Sequence, residues 1–177
     1  MDAFFTIFLI AVSLSMDAFS LALIYGTFGF TRKNELILAF IVGVFHFFMP
    51  LLGLAIGSLL MKYFMVNFNF IVSIIFLVIG VEMIVSVKRK EEVKVLKGIV
   101  GNLLFGLSVS IDSFTTGIGL SVISKNYIGV ALMFMIVSGL FTYVGLRFGN
   151  KLSERFGKYA TISGGILMCL LAIYQLF

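Results

Sequence analysis

The chain has 177 residues, 61% of them hydrophobic and 12% charged, with a net charge of +5 and a mean hydropathy of +1.18. Soluble domains carry about 25% charged and 45–50% apolar residues, so the composition excludes a soluble globular protein and marks a polytopic, all-α membrane protein. The basic excess sits in short loops between apolar runs, which is a topology signal and not a nucleic-acid footprint.

A membrane span needs about 20 apolar residues. Six stretches supply them, near residues 4–29, 36–60, 66–87, 98–123, 127–148 and 158–177. The first follows Met1-Asp2 with no basic stretch ahead of it, so it reads as a permanent span and not as a cleaved signal. The only loop of linker length, Lys88 to Lys97, separates residues 1–87 from 98–177, three spans on each side. Orientation follows from lysine and arginine. Arg32, Lys33, Lys88, Arg89, Lys90, Lys94, Lys97, Arg147, Lys151, Arg155 and Lys158 fall on one side, and only Lys62 and Lys125 on the other. The basic side is expected to be cytoplasmic, with both termini outside.

Three spans per half place the second half upside down relative to the first. An offset of 95 carries Ser13 to Ser108, Ser15 to Ser110, Asp17 to Asp112, Phe19 to Phe114 and Ser20 to Thr115. In the following spans an offset of 92 carries Gly53 and Gly57 to Gly145 and Gly149, and His46 and Pro50 to Ser138 and Thr142. The third spans align poorly. The expected fold is therefore two inverted three-helix repeats, an organisation typical of secondary transporters with a site near the midplane.

Two motifs carry the candidate chemistry: Ser15-Met16-Asp17-Ala18-Phe19-Ser20 and Ser110-Ile111-Asp112-Ser113-Phe114-Thr115. A carboxylate at the bilayer centre costs about 2.5–3.5 kcal/mol on insertion scales, and meeting that cost twice in matching surroundings points to ion or proton handling. Ser13, Asp17 and Ser20 share one face of the first span, and Ser108, Asp112, Thr115 and Thr116 share one of the fourth. Each aspartate lies about 13–14 residues into its span, so the two can meet at mid-depth. Carboxylates with hydroxyls suit a hard or intermediate dication such as magnesium, calcium or manganese. A proton that holds the empty site and leaves as metal arrives would couple the two movements.

His46, about ten residues into the second span, can ligate a borderline metal or relay protons, or it can bond a backbone carbonyl near Pro50, which is expected to kink or open its helix. Asn102 can offer an amide oxygen to the site or bond a neighbouring helix. Glu82, a turn or so from Lys88, either lines an exit path or pairs with a lysine at the interface. Met16 points about 100° away from Asp17 and packs. Cys169, the only cysteine, excludes an intrachain disulfide and a thiolate cluster. The glycine pairs Gly53/Gly57, Gly145/Gly149 and Gly164/Gly165 read as helix-packing surfaces.

Together the SMDAF motif, the G-x-x-H-x-x-M-P-x-x-G run from Gly43 to Gly53 and the run from Ser110 to Leu120 resemble the MntP-type manganese efflux pumps of bacteria, which are related to the lysine exporter superfamily. The resemblance covers essentially the whole chain. It implies a six-helix protein of the bacterial inner membrane that exports manganese(II) as substrate, with no cofactor and with Asp17 and Asp112 important for transport. Members vary at the His46 position, where some carry an acidic residue. In the last span members often read Ala-Glu-Ile-x-Gly-Gly, whereas this chain has Thr161 at the acidic position.

The leading reading is a secondary active exporter of manganese, since no Walker-type glycine loop is present to bind ATP. The alternatives are an exporter of another divalent cation or of a small amino acid, an intramembrane aspartyl protease, and a membrane scaffold. No intramembrane Lys or Arg is present to receive a zwitterion. The Gly117-Ile118-Gly119-Leu120 stretch lacks the aspartate that such proteases place after their glycines. A scaffold leaves the paired carboxylates without a reason. A homo-oligomer is compatible with the sequence.

Overall fold

The computed structural model describes residues 3–63, 68–87, 98–149 and 154–176; the expected basic loop at 88–97 lies outside them. Among the described residues the fold is built of seven helices: α1 (Ala3–Gly26), α2 (Arg32–Tyr63), α3 (Phe68–Ser86), α4 (Ile99–Ser108), α5 (Ile111–Leu120), α6 (Tyr127–Phe148) and α7 (Glu154–Leu176). Helices are forced by the solvent, because backbone groups in hydrocarbon must bond within their own segment. Among the described residues six helical stretches are long and apolar enough to cross a membrane, with α4 and α5 together forming the fourth. Phe40, Phe48, Ile136 and Leu140 are each more than half exposed on the outside of the bundle, where lipid tails take the place of water. The protein is an all-α, multi-pass membrane protein.

Local chemistry marks the turns. Gly29 has φ +73° between α1 and α2, a conformation that costs glycine nothing. Thr31 then accepts from the Asn34 N–H at 3.4 Å to start α2, and Asn126 accepts from the Gly129 N–H at 3.0 Å to start α6. α2 stays helical on both sides of Pro50, so it does not open there. The interruption comes instead in the fourth span, where Val109 and Ser110 separate α4 from α5 and the ladder tightens to Ser110 N–H → Leu107 O and Ser113 N–H → Ser110 O. No proline or glycine stands there.

α1 packs along α6 and α7, α2 along α5 and α6, and α3 along α7 but only lightly on α5. Each extensively packed pair among the described residues joins one of the first three spans to one of the last three. Glycines set the close approaches. A Cβ on Gly53 would strike the Phe114 carbonyl oxygen and stand 3.0 Å from Gly117 Cα, and one on Gly57 would stand 2.6 Å from the Ile118 oxygen. On the other seam a Cβ on Gly145 would stand 2.7 Å from the Phe19 oxygen, and one on Gly149 would strike the Leu23 oxygen. With so little room, van der Waals contact holds the seams, as expected where lipid removes the hydrophobic drive between helices.

The two ends of the bundle differ. Away from the basic end, Ile10 and Leu14 of α1, Phe76 of α3, Leu120 of α5, Phe134 of α6 and Met168 of α7 fill a closed apolar layer. Toward the end carrying Arg32, Arg147 and Lys158, residues of α1, α3, α4, α5 and α7 line a cavity.

Candidate cation site

The cavity has a volume of about 850 Å³, enough for a cation with much of its hydration shell at about 30 Å³ per water. α1 contributes Asp17 and Ser20, the α4–α5 break contributes Ser108, Asp112 and Thr115, α3 contributes Glu82 and Ser86, and α7 contributes Lys158 and Thr161. The rest of the lining is mostly aliphatic. Both motif aspartates thus face one space. Each is half-buried, and Asp17 and Glu82 lie within electrostatic reach of Asp112.

The break in the fourth span positions Asp112. Ser110 sits at the N-cap of α5, and Asp112 lies in that helix's first turn, where the positive end of the helix favours a carboxylate. Asp112 Oδ1 accepts from the Ser113 N–H at 2.7 Å, and its other oxygen is not held by that bond. Ser108 Oγ donates to Phe105 O at 2.8 Å, which leaves its lone pairs available to a cation. The donor set is made of oxygens alone, the set that hard and intermediate dications prefer.

Four candidates from the sequence lie elsewhere. Ser13, His46 and Thr116 are fully enclosed in the bundle, and Asn102 is half-buried without lining the cavity. His46 Nδ1 donates to Val42 O at 2.9 Å, one turn back and not at the carbonyl that Pro50 leaves free. His46 Nε2, Ser13 Oγ and Thr116 Oγ1 have no hydrogen-bond partner among the described residues. Glu82 and Thr161 join the cavity where sequence alone left their part open; the signal for Glu82 was a lone carboxylate within an apolar span. Among the described residues, no three of His, Cys, Asp and Glu form a metal-holding group. The carboxylates line a vestibule and do not form a closed chelate.

A family model described as "Putative manganese efflux pump" matches residues 29–176. The chain belongs to this family. It is a family of efflux pumps, hence of transporters and not enzymes, which sets the intramembrane protease aside. Curated members named "Putative manganese efflux pump MntP" are similar along nearly their whole length. The Bacillus pumilus protein is 32% identical over 97% of this chain and 94% of its own, and the Geobacillus thermodenitrificans protein is 32% identical over 96% and 93%. The Shouchella clausii protein is 33% identical over 95% and 94%. No solved structure matches the chain.

Proposed function

We propose that this protein exports manganese(II) from the cytoplasm by alternating access, with Asp17 and Asp112 as the charged ligands and Ser20, Ser108 and Thr115 as neutral oxygens around them. The observation that carries this reading is that the two motif aspartates, on separate spans, line a single cavity that extends toward the basic end of the bundle. Taking that end as cytoplasmic, the cavity is an inward-open vestibule, and the apolar layer around Phe76 and Phe134 is the closed outer barrier. Substrate identity is supported by the names of the relatives and by the all-oxygen donor set.

Two inverted repeats, residues 1–87 and 98–177, supply the moving parts. Their support is the exchange of contacts under the sequence offsets. Gly53 meets Phe114 and Gly117, while its counterpart Gly145 meets Phe19 and Ala22, the counterparts of those two. Gly57 meets Ile118 and Ser121, and Gly149 meets Leu23 and Gly26, again position for position. One pair departs from the rule: α1 packs extensively on α7, but α5 only lightly on α3. That departure is what a carrier open on one side requires.

Manganese flux into proteoliposomes tests the proposal. Asp17→Asn and Asp112→Asn are each expected to abolish flux while the protein remains folded in detergent. Full flux in either variant, or flux of an amino acid in place of metal, sinks the reading. Protons are the expected counter-ion, because a carboxylate is costly at membrane depth in its charged form; a pH dye trapped in the same vesicles reads them. Manganese should outrun zinc in transport rate although zinc binds most ligand sets more tightly.

A further inference from the structure

We infer that His46 is a positioning residue that latches the outward-open state by accepting a hydrogen bond from Ser110, as the counterpart of the Ser15–Ser138 bond that latches the state seen here. The inference rests on the inverted-repeat reading above. It explains a buried nitrogen that the vestibule does not use.

Ser15 and Ser138 join α1 to α6, Oγ to Oγ, at 2.9 Å. The Ser15 hydroxyl proton goes to Ala11 O at 2.6 Å, so Ser138 is the donor between them. Under the offsets of 95 and 92, Ser15 corresponds to Ser110 and Ser138 to His46. The second seam therefore has the parts for the same bond between α5 and α2, and there the bond is unmade. Ser110 Oγ donates within its own chain turn to Leu107 O at 3.0 Å. His46 is 0% exposed, and its Nε2 has no hydrogen-bond partner among the described residues. Because Val42 O can only accept, Nδ1 carries the proton of the neutral ring, and Nε2 is left as an acceptor waiting for a donor. The contacts of Gly106 with Phe45 and of Gly117 with Pro50 bracket His46 and Ser110 along the same helix pair.

The difference between the two seams tracks the difference between the two spans. In unbroken α1, Ser15 bonds four residues back, and its oxygen is placed for Ser138. In the broken fourth span, Ser110 bonds only three residues back, because the tightened turn between α4 and α5 holds it there. Straightening that turn frees Ser110 for His46, and breaking α1 at the corresponding Leu14–Ser15 step releases Ser15 from Ser138. One bond is exchanged for the other as the vestibule changes sides. A buried acceptor without a partner is unfavourable, so the unlatched His46 is a strained element of the inward-open state that the outward-open state relieves.

The test reads the two states separately in the full-length protein, with Cys169→Ser as background. Leu21→Cys, in the vestibule wall, reports the inward-open state to an impermeant maleimide added from the cytoplasmic side. Its counterpart Thr116→Cys, buried here, reports the outward-open state from the other side. Ser138→Ala is expected to slow the first labelling and speed the second about threefold, the population change given by one interhelical hydrogen bond in a membrane. His46→Ala is expected to do the reverse, Ser110→Ala to reproduce His46→Ala, and His46→Ser to restore the wild-type balance by rebuilding a serine pair. A packing defect would not give opposite signs. Shifts in one direction for Ser138→Ala and His46→Ala, no shift in either, or disagreement between His46→Ala and Ser110→Ala overturns the latch. Protection of Leu21→Cys by manganese(II) is scored separately: its absence, with the opposite shifts intact, removes the metal from the vestibule and leaves the latch standing.

Discussion

A single methyl group on Gly53 should unsettle the protein, and the size of the effect can be estimated. The added Cβ meets the Phe114 carbonyl oxygen and lies 3.0 Å from both Gly117 Cα and Ile118 N. All three are backbone atoms, and none can swing aside as a side chain would. Overpacking costs typically about 1–3 kcal/mol, and backbone obstacles place Gly53→Ala at the upper end, near 3 kcal/mol. Alanine returns about 1 kcal/mol through helix propensity. The net loss of about 2 kcal/mol corresponds to roughly 4–8 °C in melting temperature for a chain of this size. Gly139→Ala is the matched control, since its Cβ would stand 3.4 Å from Ala39 O in ordinary contact, and it should melt at or slightly above wild type. Cys169, the only thiol and half-buried against Gly80, gives the assay: a dye that fluoresces on reacting with it follows unfolding in detergent. Gly145→Ala should match Gly53→Ala. If Gly53→Ala melts no lower than Gly139→Ala, the helix seam is not as close as described.

Other outcomes follow from the same contacts. Glu82→Gln should raise the half-saturating manganese concentration in flux assays about two- to fivefold, and Lys158→Gln should lower it by a similar factor, as screened charges acting on a dication; effects of equal sign would refute their shared place in the vestibule. Ser73→Ala removes a bond of 2.8 Å to Ala172 O between α3 and α7 and should cost about 0.6 kcal/mol, the average for such bonds in membranes, read by the same thermal assay. Arg147 stands 3.9 Å from the buried Glu35 and is itself 41% exposed. With solvent screening discounted, Arg147→Ala should destabilise by about 1 kcal/mol and Glu35→Gln by less, because only the first strands a buried charge.

The six spans were readable because lipid imposes one rule, continuous apolar length, and the rule is written directly in composition. The glycine pairs were readable for a related reason, since a small residue every fourth position in an apolar helix has few uses besides close packing. The interruption at Val109–Ser110 was not. Ser15 occupies the equivalent position in α1 and remains helical, so the same residue type supports both conformations and the choice lies in tertiary packing. Hydropathy also gives depth and not direction. His46 and Asp17 were placed at similar depth, yet only Asp17 faces the vestibule, because the face of α2 bearing His46 turns inward to its neighbours. Glu82 and Thr161 needed the converse information: each lies off the repeated motif, and only the assembled bundle brings them beside Asp112.

The interlocking of the halves has a consequence for biogenesis. Because α1, α2 and α3 find their extensive contacts on α5, α6 and α7, the first three segments leave the ribosome before any of their permanent neighbours exists. They must wait in the bilayer as separate rods, Asp17 among them, until the remainder is translated and inserted. A nascent chain stalled after the third segment would therefore present an uncovered acid to lipid, a substrate that membrane quality-control proteases are built to remove.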